Sequence, residues 1–184
     1  MKLHRSLCFC ASLVLSLSCP SAFAQQPDLA VFAAAEAQKL PLIETLQSVV
    51  EIESGTGDYE GLAELIAEEL RLLGGQVELL DANQDVYRMF DTPEQIGPMV
   101  HASFTGRGDK RIMLIAHMDT VYLRGMIDDQ PFRIDGNLAY GLGIADDKQG
   151  VAVIIHTVAM LRDLGFDEYG TLTVLINGDE ERSS

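Results

Sequence analysis

Cysteine is confined to the start of the chain, at Cys8, Cys10 and Cys19. Everything downstream therefore has no thiol with which to close a disulfide or hold a metal. Any zinc bound there must be held by histidine and carboxylate. Tryptophan is absent, and there is no low-complexity tract and no internal repeat, which argues against a solenoid or a fibrous chain. Basic side chains are scarce: 13 Lys and Arg stand against 28 Asp and Glu, for a net charge of −15. Such a surface repels phosphate, so no nucleic-acid partner is expected. What remains is ordinary for a globular protein, 47% hydrophobic and 22% charged over 184 residues, enough for one real core.

Residues 1–24 read as a signal peptide. Lys2 and Arg5 form a basic start, and Leu7 to Leu17 is an apolar run too short to span a bilayer comfortably. Pro20 and Ser21 break it, and Ala22-Phe23-Ala24 is an A-x-A signal with cleavage expected before Gln25. A membrane anchor or a lipidated Cys19 is the competing reading, but Ser16-Leu17-Ser18 suits a lipidation site poorly. The chain is expected to be exported, to a bacterial periplasm, with no stable membrane association after cleavage. Without Lys2 and Arg5 the net charge becomes −17.

Residues 25–184 alternate between helical and strand patterns. Asp28 can cap a short Ala-rich helix to Lys39, and Leu40-Pro41 interrupts it before a second helix bearing Leu42, Ile43, Leu46, Val49 and Val50. Asp58 can cap a third, with Leu62, Leu65, Ile66 and Leu70 on one face and Gly74-Gly75 at its end. Val77 to Leu80 and Val100 to Phe104 read as strands, and Gly106 to Asp109 as a turn. Arg111 to Ala116 and Leu172 to Ile176 are short apolar runs expected to be buried strands. Between them lie a hairpin from Phe132 to Tyr140 and an apolar helix from Val151 to Leu164, closed by Gly165. The alternation predicts an α/β fold, a mixed sheet flanked by helices.

Three segments fall just past strand ends, where ligands gather in open α/β sheets. His117-Met118-Asp119 offers a ring nitrogen and a carboxylate that can fix its tautomer. Taken alone, it is more often a satisfied structural histidine. Asp146-Asp147 enters the Val151 helix; one Asp there would serve as a cap, but two exceed that need, and a carboxylate can bridge two cations. Asp179-Glu180-Glu181 is by itself most often a solvated surface run. At the end of a buried strand, adjacent carboxylates are costly unless a cation compensates or one stays protonated.

Together and in this order the segments resemble the co-catalytic zinc hydrolases that include glutamate carboxypeptidases, aminoacylases and succinyl-diaminopimelate desuccinylases. The likeness to glutamate carboxypeptidases is closest, through Ile52 to Asp58, His117 to Gly125, Ala139 to Gly150 and Asp179 to Glu181. It implies a zinc-exopeptidase-like catalytic domain with two Zn2+ ions per complete site. His117 would be a ligand of one zinc, Asp146 the bridging carboxylate, and Glu181 a ligand of the second. Asp119 would orient His117 and Glu180 would act as general base, taking the proton of a water activated by the zinc pair. Asp147 falls where the family has a non-proline cis peptide. The implied substrate is a peptide or acyl-amino acid from which a C-terminal glutamate is released; the alternative is an aminoacylase or deacylase, or a non-catalytic exported domain. The family uses five protein ligands, of which this chain supplies three, so residues 25–184 are expected to be the N-terminal part of the domain, incomplete and inactive alone. The resemblance allows a homodimer for a full-length protein. His101 and His156 match no ligand position and are expected to be structural.

Overall fold

In a computed structural model, residues 28–55, 60–81 and 87–182 are described. The expected signal peptide, the Asp58 cap and the terminal Ser183-Ser184 lie outside these residues.

The first helix, α1 (Leu29–Ala37), starts where expected, because the Asp28 carboxylate accepts the N–H groups of Ala30 and Val31. The break to α2 (Lys39–Val50) falls at Gln38, and Pro41 sits in the first turn of α2, where its missing N–H costs nothing. Leu46, Val49 and Val50 of α2 are buried, as are Leu62, Ala63, Ile66, Ala67 and Leu70 of α3 (Glu60–Leu72). Gly74, with φ of 93°, turns the chain out of α3 into β1 (Gln76–Leu80).

The main sheet is mixed. Its other strands are β2 (Met99–Thr105), β3 (Arg111–His117) and, after the helix α5 (Gln149–Asp163), β6 (Thr171–Asn177). Their order is β1-β2-β6-β3, so β6 is inserted between two strands that follow one another in sequence. The turn at Gly106 to Asp109 therefore joins non-neighbours. β6 runs antiparallel to β2 and parallel to β3, with His117 opposite Asn177 at the shared end. Between β3 and α5 lie a short helix, α4 (Met126–Asp129), which sequence periodicity did not indicate, and a two-stranded hairpin of β4 (Arg133–Asp135) and β5 (Leu138–Tyr140).

The core joins α2, α3 and α5 to one face of the sheet, through Val100, Ala102 and Phe104 of β2, Ala116 of β3, and Leu172, Val174 and Ile176 of β6. β6 is thus a buried strand as expected. β3 is not. Ile112, Met113 and Ile115 are 40%, 54% and 62% exposed, and only Ala116 and His117 are buried. An apolar run marks a strand that could be buried on both faces, but Met113 and Ile115 alternate away from the Val174–Ile176 core face, and the insertion of β6 leaves β3 at the sheet edge among the described residues. Among the described residues, no helix is long and apolar enough to cross a membrane.

Candidate metal centre

The parallel pairing of β3 and β6 brings the first and third sequence segments together. His117 closes β3, and Asp179 to Glu181 follow two residues beyond β6. A single 3-10 turn, Glu180–Arg182, holds the two glutamates.

Asp119 organises both segments. Its carboxylate is fully buried. Its oxygens accept the backbone N–H of Glu180 and of Glu181, each at 3.1 Å. The same carboxylate lies 3.4 Å from His117 Nδ1, which also approaches the Asp119 carbonyl oxygen at 3.1 Å. An Nδ1–H donated on that side leaves Nε2 facing outward.

The second segment delivers Asp146. Gly143, with φ of 72°, opens a short turn over Ile144–Lys148 in which Asp146 and Asp147 have non-helical backbone. A side chain at Gly143 would be strained twice over, since a β-carbon there would come within 2.6 Å of Thr120 Cγ2. The Asp146–Asp147 peptide is cis, at the position where the family resemblance implied one. Capping does not account for these aspartates: the N-cap of α5 is Lys148, with no side-chain cap hydrogen bond. The turn places Asp146 Oδ1 at 3.0 Å from His117 Nε2, and Glu180 Oε2 lies 3.9 Å from the same nitrogen.

Electrostatics follow from this crowding. Burial pulls the His117 pKa down, but the hydrogen bond to Asp146 and the charges of Asp119 and Glu180 outweigh it, so the net direction is up. Burial, then the negative charges of Asp146 and Asp119, raise the pKa of Glu181. Asp179 is buried, its pKa raised by burial and by Asp119, and its Oδ2 has no hydrogen-bond partner among the described residues.

The donors present, one imidazole nitrogen and carboxylate oxygens with no thiolate, suit zinc. They are not gathered as a finished cage. Among the described residues no three His, Cys, Asp or Glu side chains are arranged to hold one ion, and His117 Nε2 is engaged by Asp146 Oδ1. A catalytic zinc usually takes three protein ligands. The expected ligands His117, Asp146 and Glu181 meet at one end of the sheet without forming such a three-ligand set among the described residues.

Sequence reading missed the role of Lys148. It is only 2% exposed, and its ammonium donates to the Ile52 carbonyl at 2.7 Å. Burial lowers its pKa to about 8, against the opposing charge of Glu53. Glu53 in turn accepts the N–H of Gly125, and Thr120 N–H donates to the Ser54 carbonyl at 2.8 Å. Lys148 thus ties the Asp146 turn to the segment Ile52–Gly55, which lies alongside Thr120 and Tyr122. The other two histidines among the described residues are structural, as expected. His101 pairs with Glu78 across β1 and β2 at 2.9 Å, and His156 is buried in α5. A cleft of about 670 Å³ runs from Asp146 and Glu181 along the β4–β5 hairpin to Arg133 and Tyr140.

Residues 113–184 match peptidase family M20/M25/M40. The chain is 41% identical to carboxypeptidase G2 from Pseudomonas sp. (strain RS-16), over 99% of its own length and 42% of that protein's. It is 33% identical to a succinyl-diaminopimelate desuccinylase from Corynebacterium glutamicum, over 66% of this chain and 28% of that protein. Among solved structures, human carnosine dipeptidase 1 superposes with a TM-score of 0.68 at 22% identity, over 86% of this chain and 36% of that one. An M20 family metallo-carboxypeptidase, Sso-CP2 from Sulfolobus solfataricus, superposes with a TM-score of 0.60 at 17% identity, over 76% and 31%. Both structural likenesses concern the fold. The chain spans less than half the length of the curated relatives it matches.

Proposed function

This chain is a relative of the peptidases of family M20/M25/M40, and we propose that the protein it forms is a zinc-dependent carboxypeptidase that releases a C-terminal amino acid, glutamate, from a peptide or acyl-amino acid. The observation that carries this reading is the meeting of three sequence-distant segments at His117 Nε2, with Asp146 Oδ1 at 3.0 Å and Glu180 Oε2 at 3.9 Å. The 41% identity to carboxypeptidase G2 supports the choice of carboxypeptidase; glutamate is carried over from the family resemblance of the sequence segments.

In this reading His117, Asp146 and Glu181 would hold the metal, Asp146 being the carboxylate that would serve both ions. Bound zinc would supply Lewis acidity, polarising a carbonyl and acidifying water. The chain's own residues do the rest. Asp119 fixes the His117 ring through Nδ1 and fixes the Glu180–Glu181 turn through its two backbone N–H groups. Glu180, more than half exposed toward solvent, takes a proton from the attacking water and returns it to the leaving amine. Three donors shared by two ions leave each short of its usual complement, so the 184 residues alone are expected to be inactive. Residues 1–24 are read as a signal peptide directing the chain to the periplasm.

The test is glutamate release from N-benzoyl-glutamate in the presence of zinc, by the 184-residue chain and by any longer protein containing it. The expected result is release by the longer protein, reduced at least about 100-fold by Glu180→Gln, and none by the 184 residues. Faster release of other amino acids than of glutamate would favour an aminoacylase instead. Release by the 184-residue chain would sink the claim of inactivity. The mass of the exported chain should begin at Gln25.

A further inference from the structure

Arg133 is the one basic residue among those lining the cleft that contains Asp146 and Glu181. The other ionisable groups there are the carboxylates of Asp129, Asp146 and Glu181 and the phenols of Tyr122 and Tyr140. In a chain with 28 acidic and 13 basic side chains, a guanidinium would ordinarily be taken up by a carboxylate. None of the ion pairs among the described residues involves Arg133. Its guanidinium carbon instead sits 3.7 Å from the centroid of the Tyr140 ring.

That contact is built into the hairpin. Arg133 and Tyr140 are directly opposed on β4 and β5, and the two-residue loop Gly136-Asn137 fixes their register. A cation over an aromatic face loses little hydration on its open side and keeps its N–H fork free. Tyr140 runs straight into Gly141 and the turn carrying Asp146, so the guanidinium and the candidate metal ligand are joined by a short, folded stretch of chain. The bland alternative is an exposed arginine whose only partner is water. Arg133 is exposed, but its placement in the cleft and its contact with the Tyr140 ring argue against that.

We propose that Arg133 is a specificity-determining residue that receives a carboxylate of the substrate, a group on the amino-acid or acyl portion away from the scissile bond, as a planar two-point contact. This rests on the hydrolase reading above. The substrate class it selects is anionic acyl-amino acids over their neutral amides.

The experiment is calorimetric titration of the 184-residue chain with N-acetyl-glutamate and with its uncharged diamide, for the wild type, Arg133→Gln and Arg133→Lys. The wild type should bind the dianion at least about tenfold more tightly than the diamide, a difference expected of one charge-assisted pair. Arg133→Gln should remove most of that preference and leave diamide binding within about twofold. Arg133→Lys should retain part of it, since it keeps the charge and loses the fork. The inference is overturned if the wild type shows no preference, if Arg133→Gln keeps it, or if both ligands weaken together, which would make Arg133 a wall of the cleft. Glutamate release by a longer protein reports separately. No release by any form sinks the hydrolase reading and leaves the binding contrast standing. Unimpaired release with an unchanged anion preference in Arg133→Gln sinks this inference alone.

Discussion

The Asp119 carboxylate accepts the backbone N–H of Glu181 at 3.1 Å, and with its other oxygen that of Glu180 at the same distance. A residue expected only to orient His117 therefore also fixes the two glutamates of the third segment. One fully buried carboxylate sets the relative position of an imidazole on β3 and a turn after β6. Asp119→Asn offers one acceptor where two are needed and turns an amide donor toward an N–H. A loss of about 1–3 kcal/mol is expected, the usual cost of breaking a buried hydrogen bond to a charge. Zinc affinity should fall as well. Urea unfolding with and without zinc measures both, and an unchanged midpoint in both conditions would remove Asp119 from this role.

Much of this arrangement was legible in the sequence, and the reasons differ by element. Helices α1, α2 and α5 follow from Asp28, Pro41 and the apolar run after Val151, because caps and periodicity are local signals. The hairpin was equally local. The exposure of β3 was not, because Ile112 to Ile115 look the same whether the strand is central or at an edge. Only the long-range pairing of β6 between β2 and β3 decides that. The candidate ligands were found by family likeness. The ties that hold them, Asp119 to the Glu180 turn and Lys148 to Ile52, join positions 61 and 96 residues apart and leave no short-range pattern.

Lys148 separates packing from charge. Burying an ammonium is unfavourable, as its lowered pKa shows, and one hydrogen bond to Ile52 offsets only part of that cost. Lys148→Met keeps most of the volume and removes the charge. Its stability should lie within about 1 kcal/mol of wild type. Lys148→Ala leaves a cavity beside Gly143 and Thr120 and should lose about 2–4 kcal/mol. Chemical denaturation compares the two. Equal large losses would mean that the hydrogen bond to Ile52 dominates.

Asp146 and His117 differ in the number of ions each would touch. If Asp146 is shared by two zincs, Asp146→Asn should weaken zinc binding more than His117→Ala, which affects one ion. The two residues are in direct contact at 3.0 Å; Asp146→Asn keeps an amide at that contact and removes only the charge, so a larger loss from it than from removing the whole His117 ring would be the more telling. Zinc titration of both variants in a longer protein containing this chain decides it. Equal losses count against the shared role.

His156 supplies the pH dependence that is independent of any metal. Its ring is buried in α5, with Nδ1 2.8 Å from Gln38 Oε1 and Nε2 2.9 Å from the Thr45 hydroxyl. A neutral ring satisfies both, donating to Gln38 and accepting from Thr45. Burial lowers its pKa below 6.5, against a smaller opposing pull from the charge of Glu69. The unfolded chain therefore binds a proton first as pH falls. The stabilising contribution is complete above about pH 6.5 and is lost as pH drops through that value toward the folded pKa. His156→Gln keeps a donor and an acceptor but cannot be protonated. Between pH 7.5 and 5 the wild-type urea midpoint should fall more steeply than that of His156→Gln. Carboxylates elsewhere titrate equally in both proteins and cancel in the difference. Parallel slopes would show that the His156 ring titrates alike in the folded and unfolded chain, and would overturn the burial argument.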